Sequence, residues 1–107
     1  MKNDEGLILS REEINTLIKA IIYLKFTCQE TGSLLYAGSP LINSALDKFL
    51  VMYGYKSDWE KVFENLPEVN KKVVFNKILA SEKENGSLLD EKIKDLIINY
   101  CLHPYKI

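Results

Sequence analysis

The segment LSREEI, residues 9 to 14, carries a complete helix-start signal, and the residues after it keep helical period. Ser10 is placed to accept from the backbone N–H of Glu13 while Glu13 reaches back, and Leu9 and Ile14 occupy the staple positions that fix the entering chain. Ile14, Leu17, Ile18, Ile21, Leu24 and Cys28 then recur at helical spacing, and Gly32 is a natural stop. Ile22 and Phe26 widen the apolar arc to roughly 200°. So wide an arc predicts a central helix with neighbours on two sides. Lys25 falls inside the arc, between Ile18 and Ile21. Near a helix end such a lysine is expected to snorkel, its stem on apolar surface and its ammonium in water; a buried or interface charge is the sharper alternative.

Similar punctuation divides the rest of the chain. In GSLLYAGSP, residues 32 to 40, Ser39-Pro40 reads as an N-cap followed by proline at the first helical position. Leu34, Leu35 and Tyr36 have room for one helical turn. A phosphate loop needs a preceding strand and a lysine after its second glycine, and a nucleophile elbow needs Gly-x-Ser-x-Gly between strand and helix. Neither pattern is present, so the stretch separates helices. The second long helix is expected from Pro40 to Tyr53, with Ile42, Ala45, Leu46, Phe49 and Tyr53 on one face, Val51 on the opposite side and Gly54 as stop. Ser57 and Glu60 form another capping box, and Trp59, Val62, Phe63 and Leu66 predict a two-turn helix ended by Pro67.

The next helix runs to about Lys83 with Val74, Phe75, Ile78 and Leu79 as its face; KVVF could pass for a short strand, but the apolar pattern outlasts one. A last helix begins at Ser87 with Asp90 at the capping position and continues through Leu89, Ile93, Leu96, Ile97 and Tyr100 until His103-Pro104. The reading is all-α: one helical domain over residues 1–107, a bundle of four longer helices plus one short helix.

The chain of 107 residues is long enough for a sizeable core, and 47% hydrophobic with 27% charged residues fits a globular fold. A net charge of −1 gives no field toward nucleic acid, and Arg11 is the only arginine among 14 basic residues. Readers of nucleic acid rely on arginine's planar fork, so that function loses weight. Two cysteines make no disulfide scaffold, MKNDEG carries no leader-like apolar run, and no stretch reaches membrane-span length. A cytoplasmic protein with reduced thiols is expected.

Catalytic chemistry needs a nucleophile, a base and a group that orients the base. The single histidine, His103, sits beside a helix-stopping proline. Cys28 and Cys101 fall in apolar helical patterns, and Cys101-x-His103 lacks the paired spacings of zinc sites. The carboxylate pairs Glu12-Glu13, Glu82/Glu84 and Asp90-Glu91 lie at helix ends or on polar faces. No enzyme, metal or cofactor is expected.

An interaction surface is the better-marked feature. Asp58, Glu60, Glu64 and Glu68 gather four acids against one lysine, with Glu60 and Glu64 one turn apart as a ridge opposite Trp59 and Phe63. Tyr55, beyond Gly54, has no helical face to bury it, and Tyr36 in the earlier connection is similar. Acids and tyrosines on a rigid scaffold are the residue types of protein interfaces. The opening SREEINTLIKAI resembles the acidic, capped first helix of colicin-type immunity proteins. In size and helical character the chain is also similar to immunity proteins of contact-dependent growth inhibition systems.

That resemblance implies a non-catalytic bacterial protein that binds a toxin domain, often a nuclease, and blocks its cationic surface with carboxylates and aromatics. The expected partner-binding set is Tyr36, Tyr55, Asp58, Glu60, Glu64 and Glu68. Two alternatives stand beside it: a regulator holding nucleic acid through Lys71, Lys72 and Lys77, and a homo-oligomer joined through Val51, Ile98 and Leu102.

Overall fold

The computed structural model describes residues 8–54, 58–86 and 90–105, and all regular structure among them is helical. Helix α1, Arg11–Phe26, opens on the capping box read from the sequence: Ser10 Oγ accepts from the Glu13 amide at 3.1 Å and Glu13 Oε1 from the Ser10 amide at 2.8 Å. It ends earlier than the apolar period implied, because the amides of Thr27 and Cys28 both turn back to the Tyr23 carbonyl. Cys28 therefore lies outside the helix. A 3₁₀ turn, Thr31–Ser33, leads into the single-turn α2, Leu34–Ala37.

Helix α3, Pro40–Tyr53, has the predicted bounds, with Ser39 as N-cap and Gly54 in the left-handed region at φ 103° as C-cap. Helix α4 is shorter than two turns: it covers Asp58–Val62, and the chain leaves helical geometry ahead of Pro67, which disfavours a helical conformation in the residue before it. Helix α5, Glu68–Asn85, includes KVVF, so no strand forms there, and it stops at Gly86 with φ 69°. Helix α6, Glu91–Leu102, starts with Asp90 itself as N-cap, accepting from the Lys92 amide at 2.8 Å. The expected start at Ser87 lies outside the described residues. Among the described residues four longer helices are thus joined by two short ones and a 3₁₀ turn, where one short helix was expected.

Helix α1 packs against α3, α2 and α5, as its wide apolar arc required, while α5 also packs on α6. Ile14, Ile18 and Ile21 of α1 meet Leu46 and Leu50 of α3, Val74 and Ile78 of α5, and Cys101 and Leu102 of α6 in one core. Tyr105, past α6, closes an end of that core between Phe26 and Phe63, each ring edge-on to it at 5.1 Å.

Several faces are rotated from their expected positions. In α3 the deepest residues are Asn43, Leu46 and Leu50. In α6, Cys101 and Leu102 are buried while Ile93 and Leu96 are half exposed. The end of the chain explains the rotation in α6. His103 Nε2 pairs with Asp47 Oδ1 of α3 at 2.6 Å, and Tyr105 is drawn inward, so the last turn of α6 sets which side faces the core. No helix among the described residues is long and apolar enough to cross a membrane.

Candidate functional site

Lys25 is among the largest fully buried side chains of the described residues, with 0% of its surface exposed. Its position on the α1 wheel, among Ile14, Ile18 and Ile21, decides its burial, and the expected snorkelling does not occur. Its ammonium ends where helices end. Nζ donates to the Ala37 carbonyl, the last of α2, at 2.7 Å, and to the Tyr100 carbonyl, in the last turn of α6, at 2.9 Å. Those acceptors are orphans of helix termination. The residue four beyond Tyr100 is Pro104, which has no N–H to give. Asn43 of α3 supplies a second donor to the same oxygen, Nδ2 at 3.0 Å, while its own Oδ1 is buried without a partner among the described residues.

Lys77 of α5 repeats the arrangement at 1% exposure. Nζ donates to the Leu24 carbonyl of α1 at 2.9 Å and to Ser33 Oγ at 2.8 Å. Leu24 O is available because the Cys28 amide, its partner in a continuing helix, has gone to Tyr23 O. Two ammoniums therefore cap the C-terminal ends of α1, α2 and α6, where a helix dipole favours positive charge. Neither forms an ion pair among the described residues.

The cost shows in their acidities. Burial lowers the Lys25 ammonium from 10.5 to about 8; Cys101 opposes the shift, the Lys77 charge adds to it, and Asp47 opposes it. Lys77 is also lowered by burial, with Cys101 and then Cys28 opposing. The Cys101 thiol is raised by burial, against the pull of the two lysines. Its sulfur is close enough to Gly38 that a Cβ built there would stand 3.4 Å away, so the glycine lets α2 and α6 approach. A third buried charged residue, Glu82 at 5% exposure, meets Lys94 at 3.1 Å and joins α5 to α6.

The expected surface is distributed differently from the sequence reading. Tyr36 is 49% exposed on α2. Tyr55 lies outside the described residues, and Asp58 is the first residue of α4. Glu60 is in α4, but Glu64 follows it in a turn, its amide bonded to the Lys61 carbonyl at 3.3 Å. The two acids are consequently not consecutive turns of one helical ridge, and Glu68 opens a separate helix.

What fixes this corner is Trp59. Its indole N–H donates to Asn15 Oδ1 at 3.2 Å and its ring stacks on Phe63 at 5.6 Å, docking α4 on the first turns of α1. Those turns carry the exposed Glu12 and Glu13.

Both alternative surfaces lose a member to the interior. Lys77, at 1% exposure, is withdrawn from the outer surface that a polymer backbone would follow, and Leu102 is only 3% exposed. Val51, at 71%, and half-buried Ile98 remain accessible to differing degrees. Among the described residues no three His, Cys, Asp or Glu side chains gather as a metal-binding group.

The buried lysines are what sequence reasoning underrated. Their wheel positions were visible, as was Pro104, but the carbonyls that receive them belong to chain ends fixed only by the tertiary arrangement. Comparison with protein families, with characterised proteins and with solved structures finds no match.

Proposed function

We propose that the chain is a non-catalytic protein-binding module of the immunity kind, which neutralises a bacterial toxin domain by covering its cationic surface. The observation that carries this reading is the Trp59 anchor. By tying α4 to Asn15, it holds the segment that carries Glu60 and Glu64 beside the opening turns of α1. Glu60 and Glu64 then stand at a docked corner of the core, with Glu68 following at the start of α5.

Such a corner would speed association with a basic partner through its field, while nearby aromatics slow release. The role of the interior supports the same reading. Lys25 and Lys77 are engaged with helix-end acceptors, and Cys101 is packed in the core.

The test is to look for a secreted toxin domain among the neighbouring genes and to co-express it with this chain, followed by affinity measurement at low and high salt; neighbours that encode none would count against the reading. Rescue of growth is expected. The double reversal Glu60→Lys with Glu64→Lys should weaken binding at least about tenfold and flatten its salt dependence while leaving Tm unchanged. Unchanged affinity would remove the acidic corner from the interface.

A further inference from the structure

A cavity of about 330 Å³ lies between one face of α5 and the connection that follows α1. Its polar lining is Lys72, Asn76 and Lys77 from α5 and Gln29 from the connection; Val69 and Val73 supply apolar wall. No carboxylate lines it among the described residues. Along α5 these residues recur at steps of three and four, so they share one side of the helix.

Two features distinguish this depression from an ordinary polar groove. The first is the state of Lys77. It is 1% exposed, has no ion pair among the described residues, and is backed in the interior by the like charge of Lys25. A buried ammonium without a counter-charge is costly, and its cost falls when an anion comes within reach. Two of its three N–H donors are used, on Leu24 O and Ser33 Oγ, and the third has no protein acceptor among the described residues.

The second feature is the composition of the rim. Lys72 is exposed and makes no ion pair among the described residues, and the side-chain amides of Gln29 and Asn76 add N–H donors that carry no net charge. Two cations and two amides around a part-apolar wall form a donor-rich site suited to a compact, multiply charged acceptor.

We propose that this cavity binds a phosphate-class oxyanion, held by Lys72 and Lys77 and oriented by the amides of Gln29 and Asn76. The site is independent of the acidic corner, so failure of either proposal leaves the other standing. Binding would supply the missing counter-charge to the buried lysine and tie the α1 connection to α5.

Inorganic phosphate and glycerol 2-phosphate are titrated in parallel against the full chain, with sodium chloride at matched ionic strength as control. Tm and amide chemical shifts are followed. At concentrations some tenfold above Kd, a rise in Tm on the order of 5 °C is expected. The shift changes should centre on Gln29, Lys72 and Asn76. Lys72→Gln and Gln29→Leu alter exposed positions and should each weaken the response about tenfold without lowering the Tm of the free protein appreciably. A response to both compounds supports a site for phosphate carried on a small molecule, and a response to inorganic phosphate alone supports the free ion. A response equal to that of chloride, or one that survives Lys72→Gln undiminished, would overturn the proposal.

Discussion

Helices α1 and α5 both cross the core, yet they bury very different residues. The inner face of α1 is Ile14, Ile18 and Ile21 with one charge, Lys25; that of α5 is Val74 and Ile78 with two, Lys77 and Glu82. On α1 the apolar stripe alone locates the core and the lysine is carried in with it. On α5 apolar residues lie on both sides of the helix, with Phe75 and Leu79 left 37% and 56% exposed. What selects the inner side of α5 is polar: Lys77 reaching the end of α1 and Glu82 reaching Lys94. Oil orients the first helix, and hydrogen bonding completes the choice for the second.

The sharpest way to break that comparison is to remove the two lysines in turn. Lys25→Ala leaves a cavity and strips a donor from two backbone carbonyls, so a loss of about 4 kcal/mol is expected in denaturant unfolding. Lys77→Ala should cost less, about 2–3 kcal/mol, because one of its acceptors is a hydroxyl. Ser33 Oγ already donates to the Glu30 carbonyl at 2.7 Å and needs no second partner as urgently. Equal losses, or a larger one at Lys77, would contradict the ranking.

Next in size is a pair on α5 itself. Ile78→Ala should destabilise by about 3 kcal/mol, whereas Leu79→Ala should stay within about 0.5 kcal/mol. Thermal or chemical unfolding distinguishes them, and similar values would mean that the sidedness of α5 is wrong. The smallest loss expected of a residue that makes a defined contact sharpens the account of α1: Ser10→Ala should cost about 1 kcal/mol by unmaking the N-terminal cap.

Local physics made much of the fold legible. The bounds of α3 follow from Ser39, Pro40 and Gly54, and the start of α1 from Ser10 and Glu13, because each signal acts within a few residues. Faces were less legible where a helix carries apolar residues all round, as α6 does with Ile93, Leu96, Ile97, Ile98 and Leu102. The chain beyond α6, through the His103–Asp47 pair and the inward Tyr105, sets its rotation. Of the candidate site, Glu60 and Glu64 were visible as acids, but their ridge depended on a helix that ends at Val62. Burial of Lys25 and Lys77 was hidden for a different reason. Composition ranks lysine as exposed, and only the meeting of helix ends distant in sequence supplies acceptors for a buried one.

The central claim is that the Lys25 ammonium sits inside the protein as a helix-end cap. Its direct test is an NMR titration of Lys25 through the shift of its Cε carbon, assigned with Lys25→Met. The midpoint predicted is about 8. The sign of the linked stability follows from the lowered value. Below about 8 both folded and unfolded chains hold the proton and the full cost of burying the charge is present. Between there and 10.5 the unfolded chain holds more protons, so this lysine makes stability rise with pH, by about 3 kcal/mol at most. The raised Cys101 thiol and Tyr105 hydroxyl act in the opposite direction at alkaline pH, so the comparison is between wild type and Lys25→Met. Lys77, also lowered by burial, adds a rise of the same sign in both proteins. A midpoint near 8, with a smaller rise in Lys25→Met than in wild type, is the predicted result; a midpoint near 10.5 would show the ammonium in water and contradict the account.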